Sequence, residues 1–584
     1  MESYCTNSYL EDKGIIQESQ VFFIQRSMEL LHNFTLDTYS IRATNSHFIL
    51  CELMGVISLL EAGIIKEGNL KPLTEECLEL VGNDIVLDDH AKQLKNTLLP
   101  YLTKLRNNNL ATIKYHLSWA VKHLQKNYLN WCISSLENAL ASSNLERIQS
   151  VTSILVTELV QLGWTTEGLR GLIQTLIRDS KRQTFDRSFS EFLVSITQPK
   201  KSFLCLVKIP NVESAELNTS IQSAGYTVMN YESINDQFDI PSLGHKLSRS
   251  NFYALINVNA YETKGAVRQG FEIILHIINM MSFYEFDIKP FYQGVTILVL
   301  DDSKTRMLAS DTQYPRLYQK RTGLSSTLFE STQNVLRREK ENYDVNERFQ
   351  GLFLYSRLAE DSLLPEGSFL NYWVALESFA KVDDGKVIEQ LEKVVPAVLS
   401  NRYIYRLLRN FYEDCKRCSI DLESINAVFA GNSLSLIARE LLKLIKDPHS
   451  TQLKDLCSNH TLLLYRYQTL EEALSCSKNI LKLIKSHYRN VQWHLARLYR
   501  VRNEIAHSGT SPNNLEQLLS NLKTYVRQTV QETLIKLDKT PNSTIPEILA
   551  LICDSYDCTE KLLSDSKFTC DEVFLLDGPF HNST

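Results

Sequence analysis

Residues 486–510 read SHYRNVQWHLARLYRVRNEIAHSGT, and the prediction of the fold starts from this stretch. Apolar residues recur in alternating steps of three and four, as on one face of a helix. They are Tyr488, Val491, Leu495, Leu498 and Ile505. Arg502 stands between the last two, where the pattern requires an apolar residue. Because a guanidinium is always charged and rarely buried alone, Arg502 needs a carboxylate, a phosphate or an interface. Gly509 and Pro512 predict the end of the helix and place His507 in its last turn.

The basic residues of this stretch allow two interpretations. From Lys482 to Arg502 the chain has six Lys or Arg and no Asp or Glu. Such a run is most often the solvated face of an amphipathic helix. It can also bind nucleic-acid phosphates, and Arg497 and Arg500 are then the candidates because they precede Arg502 on the same helix. The position of Arg502 on the apolar face favours the second interpretation.

Length and composition are those of a globular protein with several domains. The chain has 584 residues, 43% hydrophobic and 22% charged, and a net charge of −6, which argues against binding nucleic acid over its whole surface. The most apolar run, residues 271–284, is too short for a membrane span and contains Glu272 and His276. Twelve cysteines without a secretory signal predict reduced thiols and a cytoplasmic location, with no membrane contact.

Residues 1–195 show helical apolar spacing and are predicted to form a helical N-terminal domain. The predicted helices are Gln20–Leu31, Phe48–Ala62, His90–Asn107, Leu110–Gln125, Tyr128–Ser142, Leu145–Leu162 and Thr166–Ile177. Nothing in this region has catalytic spacing. Trp119, Trp131 and Trp164 are interpreted as core residues rather than as ligand platforms.

The pattern changes after Pro199, and residues 196–325 are predicted to form an α+β domain. Strands are predicted at Ser202–Ile209, Tyr226–Tyr231, Phe252–Tyr261 and Gly294–Leu300, and helices at Ala215–Ala224 and Ala266–Tyr284. This βαββαβ-like order predicts a small ferredoxin-like sheet. The following segment, from Ser303 to about Thr332, is interpreted as a connector.

Residues 326–540 are predicted to be a helical domain with an insertion at about 384–480, and residues 541–584 a C-terminal tail, so the fold class is mainly α with an α+β middle domain. The predicted helices are Asp344–Glu360, Ser368–Lys381 with Ser368 as its cap, and Asn514–Leu537. Glu377 lies at the edge of an apolar face, as Arg502 does. A partly buried ion pair that orients Arg502 is the simplest solution for both residues.

The sequences YWVALESFAK (372–381) and LYRVRNEIAHSG (498–509), on two helices separated by an insertion and followed by a long helix, resemble the HEPN superfamily, in particular its ApeA-like members in prokaryotic defence proteins. The resemblance covers about residues 330–540. It implies a helical bundle that dimerises and a metal-independent endoribonuclease without cofactor, in which Arg502 and His507 are the catalytic pair and Asn503 their polar companion. An anti-phage effector of the abortive-infection type, with RNA (tRNA among the candidates) as substrate and a regulatory partner or phage trigger, follows from the resemblance alone.

The residue types fit this chemistry, because RNA cleaves itself when its 2′-hydroxyl attacks the adjacent phosphate and needs only a base, an acid and charge stabilisation. On a straight helix, however, five residues place His507 about 140° around the axis from Arg502. Either the last turn is distorted before Gly509, or two copies of the chain share a composite cleft. A homodimer is therefore predicted. The alternative is a non-catalytic HEPN module that only dimerises or binds RNA or nucleotide.

Two pairs, Cys415 with Cys418 and Cys457 with His460, have the residue types and spacing of a zinc site. The segment between the pairs is longer than in a small zinc finger, and both pairs lie in helix-like sequence. Ordinary thiols are therefore the preferred interpretation, and a zinc ion at these residues the second.

Overall fold

A computed structural model describes residues 5–32, 35–36, 38–63, 68, 70–105, 110–209, 215–238, 252–283, 295–300, 307–312, 326–338, 343–362, 364–381, 387–447, 451–540, 543–565, 568 and 572–577. The fold is mainly helical with one small antiparallel sheet, which confirms that the chain is mainly α. Within these residues, none of the helices combines the length and the apolar character that a bilayer span requires. The chain divides into two compact units, one comprising residues 1–158, 180–184 and 323–584, the other residues 159–179 and 185–322.

The N-terminal part of the chain is helical, as predicted. Its helices are α1 (Asn7–Glu11), α2 (Glu18–Leu30), α3 (Ser46–Glu61), α4 (Leu70–Gly82), α5 (Ile85–His90), α6 (Lys92–Thr103), α7 (Leu110–Ala141), α8 (Leu145–Leu162), α9 (Thr166–Ser180) and α10 (Phe185–Thr197). Two predicted helices are merged in α7, because Gln125–Tyr128 contains no residue that breaks a helix. The interpretation of Trp119 as a core residue is wrong, since its side chain is 53% exposed, whereas Trp164 is buried.

The second unit contains a five-stranded antiparallel sheet. Its elements are β1 (Lys201–Ile209), α11 (Ala215–Ser223), β2 (Thr227–Asn230), α12 (Tyr231–Phe238), β3 (Phe252–Ala260), α13 (Thr263–Phe283), β4 (Val295–Leu300) and β5 (Met307–Thr312). The strand order is β2-β3-β1-β4-β5, and the first four strands lie in the order that a βαββαβ arrangement produces. The connector prediction is wrong at β5, which pairs with β4 as an added edge strand.

The helix α13 packs against β1 and β3, and a glycine permits its close approach to the sheet. A Cβ atom added at Gly270 would lie 3.2 Å from the Cβ atom of Cys205 on β1. Any larger residue at position 270 would therefore push α13 away from the strand or displace the side chain of Cys205.

The C-terminal part of the chain is a helical bundle that belongs to the first unit. Its helices are α14 (Ser326–Arg338), α15 (Tyr343–Asp361), α16 (Pro365–Ala380), α17 (Val387–Asn401), α18 (Tyr403–Arg417), α19 (Leu434–Lys446), α20 (Gln452–Cys457), α21 (Thr461–Leu474), α22 (Ser477–Ser508), α23 (Leu515–Lys539), α24 (Ile545–Ser564) and α25 (Glu572–Asp577). The helix α22 packs on α16, α17, α21 and α24. The N-terminal helix α4 also packs on α22, so the first unit brings both ends of the chain to one core.

The start of α16 differs from the prediction. The helix begins at Pro365, and Ser368 is not its cap. Proline is favoured in the first turn of a helix because its fixed φ suits the helix and its missing N–H would have had no partner there. The hydroxyl of Ser368 is buried and donates instead to the carbonyl of Ala359 at 2.6 Å, which joins α16 to α15.

Candidate functional site

The last turns of α22 carry the motif Arg502, Asn503 and His507, as the sequence predicts. Gly509 follows in the left-handed conformation with φ +66°, and its N–H donates to the carbonyl of Ile505 at 3.1 Å. This conformation is easy for glycine and strained for other residues, so Gly509 fixes where the helix ends. The predicted helix end is therefore confirmed.

Arg502 and Asn503 are half-buried neighbours whose side chains contact each other. The Nη1 atom of Arg502 donates to Oδ1 of Asn503 at 3.1 Å. Among the residues that the structure describes, Arg502 forms no ion pair with Glu377, so the predicted orienting pair is wrong. The physical reason is that Arg502 is only partly buried and keeps access to water, and therefore does not need a buried carboxylate.

His507 is exposed in the last turn of α22. The helix remains α-helical through Ser508, so its last turn is regular. Of the two predicted geometries, a distorted last turn is therefore absent, and the cleft shared by two copies remains as the prediction. At 100° per residue, the imidazole of His507 and the guanidinium of Arg502 leave one helix in directions about 140° apart. Both groups are thus accessible to a ligand, and a single copy of the helix does not aim both at the same atom.

Hydroxyl groups tie the turn after His507 to two carboxylates. Thr510 Oγ1 donates to Oε1 of Glu504 at 3.1 Å, and Ser511 Oγ donates to Oε1 of Glu366 on α16 at 2.7 Å. Ser508 Oγ donates to the main-chain carbonyl of Glu504 at 2.6 Å. These hydrogen bonds hold the turn beside the exposed imidazole.

Arg497 lies one turn before the motif and is buried, with 4% of its surface exposed. Its Nη1 and Nη2 atoms donate to the two carboxylate oxygens of Glu76 on α4 at 2.9 and 2.7 Å. Its Nε atom donates to Oε2 of Glu52 on α3 at 3.0 Å. Two carboxylates therefore use all three nitrogen atoms of the guanidinium.

Arg500 shares Glu52 with Arg497. Its Nε and Nη2 atoms donate to Oε1 of Glu52 at 3.0 and 2.6 Å. Burial alone would raise the pKa of Glu52, but the charges of Arg497 and Arg500 outweigh burial and lower this pKa to about 2. The prediction that Arg497 and Arg500 contact RNA phosphate is wrong for this structure, because carboxylates already neutralise both guanidinium groups in the protein interior.

Sequence reasoning missed these two carboxylates, although a signal was present. Glu52 lies within the apolar run FILCELMGV (48–56), and Glu76 precedes the buried Cys77. A carboxylate that is buried within an apolar helical stretch needs a cationic partner. The sequence does not show which cation is the partner, because more than 400 residues separate the two carboxylates from α22.

The four candidate zinc ligands do not form a metal site. All four are buried, but among the described residues no group of three or more His, Cys, Asp or Glu side chains is arranged to hold a metal ion. His460 caps α21 instead, with Nδ1 accepting from the N–H of Leu463 at 3.3 Å. Burial and a hydrogen bond to Cys457 raise the pKa of the Cys415 thiol well above its usual range, and Cys418 is shifted in the same direction by burial.

The structure thus divides the predicted site into two groups. Arg502, Asn503 and His507 are accessible at the end of α22, whereas the buried Arg497 and the partly buried Arg500 form ion pairs with carboxylates. An accessible guanidinium, carboxamide and imidazole can bind an anion and transfer protons without a metal ion. Comparisons of the chain with models of protein families, with curated proteins and with solved structures found no match.

Proposed function

We propose that this chain is a metal-independent endoribonuclease of the HEPN type, with Arg502, Asn503 and His507 as its catalytic residues. One observation carries the proposal. Of the three arginines in the motif region of α22, Arg497 and Arg500 are paired with carboxylates, whereas Arg502 contacts the neutral side chain of Asn503. Its positive charge therefore remains available for a phosphate group.

The proposed reaction uses the 2′-hydroxyl of the RNA as the nucleophile. One imidazole accepts the 2′-hydroxyl proton while the 2′-oxygen forms a bond to phosphorus and the bond to the 5′-oxygen breaks. A second proton donor protonates that 5′-oxygen, so the products end in a 2′,3′-cyclic phosphate and a 5′-hydroxyl. The guanidinium of Arg502 stabilises the extra negative charge on the phosphate oxygens, and the amide of Asn503 orients the guanidinium through the hydrogen bond at 3.1 Å.

Two copies of the chain supply the complete site in this proposal. The regular end of α22 supports this arrangement, because Arg502 and His507 of one chain diverge around the helix axis. In a twofold-symmetric dimer, Arg502 of one copy can face His507 of the other, so each of the two sites has one guanidinium and one imidazole.

The test is cleavage of RNA by the purified full-length chain in the presence of EDTA. We expect the wild type to cleave and the His507→Ala variant to lose at least about a hundredfold in rate, since general acid–base catalysis contributes about 10²–10⁴-fold. His276→Ala is the matched control, because His276 is also an exposed helical histidine. Equal cleavage by the wild type and the His507→Ala variant would refute the assignment.

The divergence of Arg502 and His507 within one chain also favours a second candidate, a HEPN module that dimerises or binds RNA without cutting it. RNA binding by a wild-type protein that does not cleave in any of these assays would select this candidate. The resemblance adds an anti-phage role to the first candidate. Protection of cells from phage by the wild type, and its loss in the His507→Ala variant, would support that role.

A further inference from the structure

The helix α7 has large aromatic side chains that are exposed to solvent instead of being packed against the protein. Its inner face is formed by apolar residues that pack on α2, α3, α5 and α6. These are Ile113, Leu117, Ala120, Val121, Leu124 and Tyr128. On the outer side, Tyr115 is 73% exposed and Trp119 is 53% exposed. Large aromatic rings in water are costly, so two of them on one helix face call for a ligand.

Further aromatic rings lie next to that of Trp119 and lead to the partly buried Trp131. The ring of Trp119 is parallel to that of His123, with centroids 5.9 Å apart and planes 8° apart. The ring of His123 lies 5.4 Å from that of Trp131, which in turn stacks on His90 of α5 at 6.1 Å and 6°. The contacts hold these side chains in fixed orientations, so little conformational entropy remains to be lost when a further ring stacks on them.

The charge on this side of α7 is positive. Between residues 110 and 136 there are three lysines and no Asp or Glu. Lys114 pairs with Glu61, whereas Lys122 and Lys126 are exposed and form no ion pair within the described part of the chain. Positions 115, 119, 122 and 126 lie within about 60° around the helix axis, so both lysines flank the exposed rings of Tyr115 and Trp119.

We propose that this surface, formed by Tyr115, Trp119 and His123 with Lys122 and Lys126 and named here the α7 aromatic face, binds single-stranded RNA. Aromatic rings stack on the flat faces of unpaired bases, and flanking lysines attract the phosphates, so the pair of features fits a single strand. From Tyr115 to His123 the helix rises about 12 Å, enough for roughly three stacked nucleotides at ~3.4 Å each. A duplex fits poorly, because its base faces are already covered by their neighbours.

This inference depends on the proposed function only for the identity of the single strand as RNA. The α7 aromatic face would bind the substrate RNA in addition to the catalytic residues of α22. Binding is therefore measured apart from cleavage, in the full-length His507→Ala chain, which leaves the RNA intact. The probe is a fluorescently labelled single-stranded RNA of about twelve nucleotides, within the range of known single-strand sites. The same RNA annealed to its complement is the duplex probe.

Trp119→Ala should weaken binding of the single strand about tenfold or more, because stacking of one base on an aromatic ring contributes about 1–3 kcal/mol. Trp119→Phe should retain most of the affinity, since it keeps a ring. Tyr9→Ala removes another exposed aromatic side chain, on α1, and should bind as the parent does. Thermal unfolding of each variant checks that the fold is intact.

Replacing the lysines should change a different quantity, the dependence of RNA affinity on salt concentration. Lys122→Gln with Lys126→Gln should reduce the slope of log affinity against log salt by about 1.4, since each phosphate contact to a single strand contributes about 0.7. The matched control, Lys539→Gln with Lys561→Gln, changes two exposed lysines on α23 and α24 and should leave the slope unchanged. Trp119→Ala should lower the affinity and leave the slope as it is.

Three results would overturn the proposal: no binding of the single strand by the parent chain, equal binding of strand and duplex, or parental affinity in both the Trp119→Ala and the double lysine variant. These outcomes are distinct from failure of the proposed nuclease. If Trp119 governs binding but the wild type never cleaves, the surface stands and the nuclease does not. If the wild type cleaves while Trp119→Ala binds as the parent does, the nuclease stands and the surface does not.

Discussion

The middle and the end of α22 carry the same residue types in different surroundings. In the middle, Arg497 and Arg500 are surrounded by protein and share the carboxylates of Glu52 and Glu76. At the end, Arg502 is half-exposed and contacts only a neutral amide among its described neighbours. An arginine on this helix therefore forms structural ion pairs where carboxylates from α3 and α4 reach it, and it remains available for a ligand where they do not.

The largest expected effect is on stability in the middle of the helix. In Glu76→Gln, Glu52 alone must balance Arg497 and Arg500, so one buried positive charge loses its partner. Breaking a buried ion pair costs about 3–5 kcal/mol, and we expect a loss of about 3 kcal/mol in the free energy of unfolding, measured with urea. Glu504→Gln, at an exposed carboxylate near the motif, should cost less than about 0.5 kcal/mol. A loss below about 1 kcal/mol in Glu76→Gln would mean that the buried network does not stabilise the fold.

The next effect is on catalysis at the end of the helix. Arg502→Lys should lower the rate of RNA cleavage about 10²–10³-fold, because lysine keeps the charge but loses the planar pair of donors that fits a phosphate. The same variant should unfold within about 0.5 kcal/mol of the wild type. Arg500→Lys is the matched change in the middle of the helix and should reverse the pattern, with a larger loss of stability than of chemistry. Similar behaviour of the two variants would remove the distinction between the regions.

A composite site predicts recovery of activity on mixing two inactive chains. The Arg502→Ala chain retains His507, and the His507→Ala chain retains Arg502, so a mixed dimer contains one complete pair. With random pairing, half of the dimers are mixed and one of their two sites works, which gives about a quarter of the wild-type rate. If the mixture is as inactive as the two separate variants, the two copies do not share a cleft. The roles of Arg502 and His507 themselves are then decided by the cleavage assays on the single variants.

The pH dependence of stability offers a graded test of the middle region. The folded pKa of Glu52, about 2, lies below the usual value of 4.5 because Arg497 and Arg500 outweigh the effect of burial. Ionised Glu52 therefore stabilises the fold above about pH 4.5, and this contribution is lost as the pH falls from there towards 2. Unfolding free energies between pH 5 and about 2.5 should fall less steeply in Glu52→Gln than in the wild type. Parallel curves would mean that Glu52 has an ordinary pKa.

The smallest effect concerns the residue that ends α22. Gly509→Ala should cost about 1 kcal/mol of stability, because alanine at φ +66° is strained. Gly82→Ala, at the end of α4 where an added Cβ atom meets no atom within 4 Å and φ is not positive, is the control and should cost nothing or stabilise slightly. Thermal unfolding measures both. If Gly509→Ala is neutral, the left-handed end of α22 is not an essential feature.

Much of the local structure could be predicted from the sequence, because it depends on neighbours along the chain. The spacing of Val491, Leu495 and Leu498 identified the helix, and Gly509 its end. The order of the first four strands of the second unit agrees with the predicted βαββαβ arrangement, although the helix α12 between β2 and β3 was not predicted. Periodicity alone, however, does not show on which side of a helix the neighbours lie, which is why Trp119 was placed in the core.

The composition of the site was only partly predictable, because it depends on residues far away in the chain. The candidate motif Arg502, Asn503 and His507 was identified from its spacing together with the helices on either side of it, and its members are accessible. The ion pairs of Arg497 and Arg500 could not be identified from the sequence, because their carboxylate partners lie in α3 and α4. These two helices precede the second unit in the chain, whereas α22 follows it. Residue type and spacing thus identified candidates, and the carboxylate partners in the structure separated Arg497 and Arg500 from Arg502.

The chemical ends of RNA cut by the full-length chain in EDTA test the central claim most directly. Attack by the 2′-hydroxyl leaves 2′,3′-cyclic phosphate and 5′-hydroxyl ends, and sequencing methods that capture each kind of end distinguish them. We predict cyclic phosphate ends with the wild type and the His276→Ala control, and none above background with Arg502→Ala or His507→Ala. Ends with 3′-hydroxyl and 5′-phosphate, or cyclic phosphate ends that persist without Arg502 and His507, would contradict the account.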